Sequence, residues 1–207
     1  DYQCPPLDCD DRSARSYAGQ LQEFCNGMDD DCDGDIDEGT SLASCPLLIG
    51  EYVEGSGLTR ALELYVRNEF EFDIGDCELR IYANGSLSAT ETIRLTGRID
   101  ADDPFTVCHP LVARAACDLN TDRLVFTGND AIELRCGDRL LDSIGEVGND
   151  PGGFWSGGTG NTTQNHTLRR QCDVLFGDSD SSNAYNTRDW DSFPRDTLDD
   201  LGINHCL

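Results

Sequence analysis

The sequence predicts a mainly β protein, an antiparallel β-sandwich preceded by a small cross-linked segment. Three observations point there. From Leu47 onward, short apolar–polar alternations recur between turns rich in Gly, Asp and Asn. Before that point apolar periodicity is almost absent: Leu7, Tyr17, Leu21, Phe24 and Met28 are scattered among turn formers and acids. Eleven cysteines are spread over 207 residues, as in chains that fold in oxidising surroundings and use disulfides in place of some core.

Taken in order, residues 1–45 cannot bury a core alone. Cross-links at Cys4, Cys9, Cys25, Cys32 and Cys45 must supply their order, with a short helix expected around Ser16–Phe24. Residues 46–207 form the second unit. Its expected strands are Leu62–Arg67, Cys77–Tyr82, Thr92–Thr96, Phe105–Val107 and Arg123–Phe126, with an Asn84-Gly85 turn after the second. Ala131–Cys136 and Arg139–Ile144 flank Gly137-Asp138 as a hairpin. Cys77 is in phase with Leu79 and Ile81, and Cys136 with Ile132 and Leu134, so both point inward and could bridge within or between sheets. Cys108 and Cys117 are close enough to close a local loop. Residues 145–190 read as a long polar loop tied down by Cys172 and by Trp155 and Trp190, and residues 189–202 as a docked segment covering a sheet edge.

Net charge is −25, and all fifteen cationic residues are Arg. Such a surface repels phosphate backbones and anionic membranes, which argues against nucleic-acid binding. It attracts divalent cations. Strong acidity also accompanies disorder, but the alternation after residue 47 argues against it there. No apolar run is long enough to span a bilayer, so membrane insertion is not expected.

The acids are densest between Cys25 and Gly39, where seven of fifteen residues are carboxylates. Asp29, Asp31 and Asp33 alternate, Gly34 comes next, and Asp37 lies three residues later. In a D-x-D-x-D-G-x-x-D loop the chain curls round a hard cation and offers it every second side chain. Glycine permits the turn, the carbonyl of Asp35 can point inward, and Asp37 or Glu38 can close the shell. All-oxygen ligation favours calcium over soft transition metals. The expected ligands are Asp29, Asp31, Asp33, Asp35, Asp37 and Glu38, joined by Asp8 and Asp10, with Cys25 and Cys32 bracing the loop.

Zinc is the competing use for cysteines. No C-x-x-C pair occurs, and His109, His166 and His205 have no ligand spacing, so disulfides are expected. An odd count leaves one thiol free or paired with another chain. The chain reads as a mature secreted or cell-surface product; the sequons at Asn84, Asn161 and Asn165 are compatible with glycosylation.

Two resemblances add to this. Asp8-Cys9-Asp10-Asp11 followed by Cys25-Asn26-Gly27-x-Asp29-Asp30-Asp31-Cys32-Asp33-Gly34-x-x-Asp37-Glu38-Gly39 is similar to the metal-binding motif of MopE-like secreted bacterial proteins. The segment between the halves, Arg12 to Gln22, lacks the usual proline. That family carries a copper association by name, but the motif here has no histidine and a single Met28, which favours calcium. The loop also resembles those of EF-hands and thrombospondin-type repeats, although Thr40 stands where an EF-hand has a bidentate Glu. Residues 47–202 resemble a bacterial lamin-tail domain through Ile49–Ser56, Ala61–Tyr65, Phe126–Leu134, Asp142–Gly148, Thr167–Arg170 and Trp190…Thr197–Gly202. That resemblance implies an immunoglobulin-like sandwich serving as a binding or structural module.

No catalytic signature is present. There is no G-x-S-x-G, no H-E-x-x-H, and the Gly157–Gly160 stretch lacks the lysine of a phosphate loop. The three histidines read as surface residues. Trp155 and Trp190 could line a glycan platform or simply pack. Glu51/Glu54 and Asp102/Asp103 could be a second calcium site or a solvated rim. The chain is therefore expected to be a non-catalytic extracellular structural protein acting through copies of itself or a surface partner. The alternatives are an accessory glycan- or protein-binding module of a secreted hydrolase, and a copper-binding protein.

Overall fold

The structure, a computed structural model, describes residues 25, 28–37, 45, 47–67, 71–100, 102–112, 117–157, 160–185 and 187–206. The helix expected at Ser16–Phe24 lies outside them. Among the described residues the chain is mainly β, with one 3-10 turn at Ala83–Gly85. That turn is where Asn84-Gly85 was expected, both residues having positive φ (52° and 74°).

Six strands form the larger sheet: β1 (Leu47–Glu54), β2 (Arg60–Val66), β7 (Phe105–Cys108), β8 (Leu119–Asn120), β11 (His166–Arg170) and β12 (Trp190–Pro194). Their order is β12-β11-β1-β2-β7-β8. All pairs are antiparallel except β7–β8. The second sheet holds β4 (Cys77–Tyr82), β5 (Glu91–Arg94), β9 (Ala131–Cys136) and β10 (Arg139–Ile144), ordered β10-β9-β4-β5. A two-stranded ribbon pairs β3 (Phe72–Asp73) with β6 (Arg98–Ile99).

Both larger sheets contribute to one apolar core. Leu47, Ile49, Tyr52, Leu62, Leu64 and Leu168 enter it from the first; Leu79, Ile81, Ile132, Leu134 and Ile144 enter it from the second. Ile49 and Tyr52 are three residues apart yet share this face, which strict alternation forbids. A bulge between Ile49 and Glu51 resolves it. Gly50 occupies the bulge because a Cβ there would lie 2.0 Å from Cδ1 of Tyr65. Beyond the bulge, Glu51 and Val53 face the opposite side of the sheet. A smaller apolar cluster of Val53, Ala61, Cys108, Val112 and Leu201 forms there.

The sheets are also joined through a buried ion pair. Asp142 on β10 accepts from the Ile49 amide (2.9 Å) and from Arg170 Nη2, while its other oxygen accepts from the amides of Ser143 (2.9 Å) and Asp178 (2.8 Å). Four disulfides link described residues: Cys25–Cys45, Cys77–Cys136, Cys108–Cys117 and Cys172–Cys206. Cys77–Cys136 joins register partners within one sheet. Cys32 is disulfide-bonded as well; the odd cysteine lies outside the described residues.

Three expectations are corrected. Arg123–Phe126 is not a strand: Leu124 and Phe126 are buried with Val125 more exposed between them. However, the amides of Leu124 and Val125 bond back to Thr121 and Arg123 as turns. The supposed loop 145–190 contains β11, an interior strand of the larger sheet. Residues 190–194 form the edge strand β12, and the covering segment begins only after Pro194.

Candidate metal centre

The acidic loop is wound by its own side chains. Asp29 Oδ1 accepts from the Asp33 amide (3.2 Å) and its Oδ2 from the Gly34 amide (3.1 Å). Asp31 Oδ1 also accepts from the Asp33 amide (3.1 Å), and Asp33 Oδ1 from the Asp35 amide (2.9 Å). Aspartate makes such bonds readily because its short side chain reaches the backbone two residues on. Positive φ at Cys32 (64°), Gly34 (103°) and Asp37 (57°) tightens the coil.

As a result, carboxylate oxygens of Asp29, Asp31 and Asp33 lie within 4.8 Å of one another. Calcium holds its oxygens at about 2.3–2.6 Å, so two ligands of one ion stand up to roughly 5 Å apart. The three oxygens thus fit a single hard-cation shell. Asp35 and Asp37 do not join this group of three. Asp35 is exposed and Asp37 buried. Asp8, Asp10, Asp11 and Glu38 lie outside the described residues.

Two anchors seat the loop on its own sheets. Cys25 and Cys45 are bonded to each other and buried in the main core. Arg139, the first residue of β10, donates from Nη1 to the Asp37 carbonyl at 2.8 Å. Nothing in the sequence marked Arg139 for this role, since it reads as a hairpin arginine. A second group, Cys172, His205 and Cys206, also brings ligand atoms together. Its two sulfurs are bonded to each other, however, and a disulfide supplies no thiolate.

The remaining candidates have structural roles in the fold. His109 is buried, not superficial, and its Nδ1 accepts from the Leu111 amide (3.2 Å). Nδ1 of His166, at the start of β11, lies 2.7 Å from the Gln164 carbonyl, and Nε2 of His205 lies 2.9 Å from the Arg170 carbonyl. Trp155 is buried, donates from Nε1 to the Asp130 carbonyl (3.1 Å) and meets Tyr185 edge-on. Trp190 is fully buried under Arg170, whose guanidinium carbon is 4.0 Å from the ring centroid. Neither indole offers a platform. Glu51 and Glu54 are buried ion-pair partners of Arg169 and Arg60, not a solvated rim or a joint cation site.

Comparison with known proteins finds one likeness. Residues 8–38 match the family model Cu-binding MopE, described as a metal-binding motif. No curated protein and no solved structure matches the chain.

Proposed function

We propose that the protein is a non-catalytic extracellular or cell-surface structural module, in which a calcium-bound, disulfide-braced loop is clamped to an immunoglobulin-like sandwich of lamin-tail type. The observation that carries this is the convergence of the Asp29, Asp31 and Asp33 carboxylates in the stretch that matches the metal-binding motif. Three close carboxylates repel one another, and a divalent cation relieves that repulsion while fixing the loop. Ligand hardness selects calcium over copper: the oxygens are carboxylate, and Cys25, Cys32 and Cys45 are all in disulfides.

Several disulfides support an oxidising location. The placement of the metal loop supports a mechanical role. Cys25–Cys45 lies in the core and Arg139 grips the loop's far end, so an ion there stiffens the start of β1 and the edge of β10 together. The loop docks on its own chain, through Cys25–Cys45 and Arg139, and not on a second copy. The partner in this proposal is a surface or matrix component.

Isothermal calorimetry on the metal-stripped, disulfide-intact protein tests the proposal. Calcium should bind, and Asp31→Asn combined with Asp33→Asn should abolish that binding. Tight copper binding with no calcium isotherm would replace this reading with metal storage or uptake.

A further inference from the structure

Residues 195–206 leave β12 and cross the outer face of the larger sheet. The Thr197 carbonyl accepts from Thr167 Oγ1 on β11 (2.8 Å), and Leu198 and Leu201 pack on Val53, Ala61 and Cys108. The segment ends at Cys206, bonded to Cys172 beyond β11. It is a strap fixed at both ends.

Under it lie two glutamates. Glu51 on β1 and Glu63 on β2 are direct register partners, on one face, and both are fully buried. Facing carbon atoms of such a cross-strand pair stand about 5 Å apart. Glu51 Oε2 accepts from Arg169 Nε (3.2 Å), and Glu63 Oε2 accepts from the strap amide of Gly202 (2.7 Å). Each keeps its Oε1 without a hydrogen-bond partner. The bulge makes room for this, since Gly50 leaves Glu63 Oε1 only 3.4 Å from where a Cβ would sit.

The charges around the pair do not balance two carboxylates. From β11 comes Arg169, which also bonds strap residues Asp199 and Asp200, each at 2.7 Å. From β7 the register partner of Glu63 is the neutral Thr106, whose own hydroxyl is engaged by Asp118. One guanidinium therefore serves four carboxylates, two of them out of reach of water. Two buried like charges with one guanidinium between them do not both ionise; one proton shared by the pair removes the conflict and gives an unpartnered oxygen a donor.

We propose that Glu51 and Glu63 form a proton-operated latch, sharing a proton while the strap is closed and releasing the strap when that proton is lost. Burial pushes Glu63 up to about 8 and Glu51 up to about 7, the direction that a proton held under the strap requires. Opening exposes the Val53–Ala61–Leu201 cluster, while the Cys172–Cys206 bond keeps the strap tethered for reclosure.

The test is carboxyl-carbon NMR titration of the full chain with calcium present, together with exchange protection of the Gly202 amide corrected for intrinsic rate. The pair should lose its shared proton in one step above pH 6, seen at both carboxyl carbons, and protection should fall by about tenfold per pH unit once the proton leaves. Glu63→Gln should flatten that dependence, and Glu51→Gln serves the same purpose should the first variant misfold. Glu54→Gln, on the opposite face, should leave it intact. A pair in which both carboxylates are already ionised at pH 6 would overturn the proposal. So would protection that stays flat while they titrate, or calcium displacing the proton, which would make the pair a metal site.

Discussion

Asp142→Asn probes the junction between the two larger sheets with almost no change in volume. Asp142 is fully buried and receives four donors: the amides of Ile49, Ser143 and Asp178, and the Arg170 guanidinium. An asparagine amide replaces one acceptor oxygen with a donor, so whichever way it turns, N–H groups face N–H groups. Arg170 meanwhile loses its buried counter-charge. Breaking a buried pair costs about 3–5 kcal/mol, and an orphaned buried donor about 1–3 kcal/mol; these costs overlap, so roughly 4 kcal/mol is expected. In a chain of this size each kcal/mol lowers Tm by about 2–4 °C, giving a drop of roughly 8–16 °C. Calorimetric melting of the oxidised protein at fixed calcium measures it. A loss below about 1 kcal/mol would refute the claim that this carboxylate joins the sheets as an ionised, fully used acceptor. Pairing Asp142→Leu with Arg170→Met should recover only the part of the loss due to the unmatched charge, because the amides of Ile49, Ser143 and Asp178 lose the acceptor they share.

Arg139→Ala should weaken calcium binding by up to about tenfold, the value of one charge-assisted hydrogen bond; calorimetry checks it. Gly50→Ala should cost roughly 1–3 kcal/mol, because its Cβ collides with the Tyr65 ring in a packed core, and urea unfolding would read this. Replacing Cys77 and Cys136 by Ala releases a cross-link of sequence separation 59, worth about 4 kcal/mol in the chain-entropy view, and should show as a lower urea midpoint. For Glu63 the folded value of about 8 lies above the ordinary 4.5, so the folded chain holds a proton the unfolded chain has lost. Its contribution to stability should therefore be greatest below pH 4.5 and decline toward pH 8, by up to about 1.4 kcal/mol per unit. Denaturation at a pH series on wild type and Glu63→Gln separates this contribution from the rest.

Strands whose side chains alternate cleanly were legible from the sequence: β4, β9 and β10 fall where the pattern put them, with the hairpin turn at Gly137. β11 was not, because Thr167-Leu168-Arg169-Arg170 reads as polar although all four side chains are buried. What permits this is remote in sequence: Arg169 meets Glu51 and stacks on Phe193, while Arg170 meets Asp142 and Trp190. Neighbour patterns carry no trace of such partners. Leu124 and Phe126 fail the other way, since inward alternation requires burial but not a ladder. In the loop, the alternating aspartates suffice to bring Asp29, Asp31 and Asp33 together, because local side-chain-to-backbone bonds wind it. The Arg139 clasp on Asp37 depends on how the loop meets the sheet and left no mark in the sequence.

The bond between Cys172 and Cys206 turns the chain from one sulfur to the other into a covalent macrocycle that contains β12 and the strap. A protease that nicks this ring once yields two pieces that still travel together. Unreduced, the nicked molecule migrates close to the intact one, and only added thiol frees the far fragment. Wear on an exposed bend is thereby uncoupled from loss of the edge strand, so a cleaved molecule can stay in service.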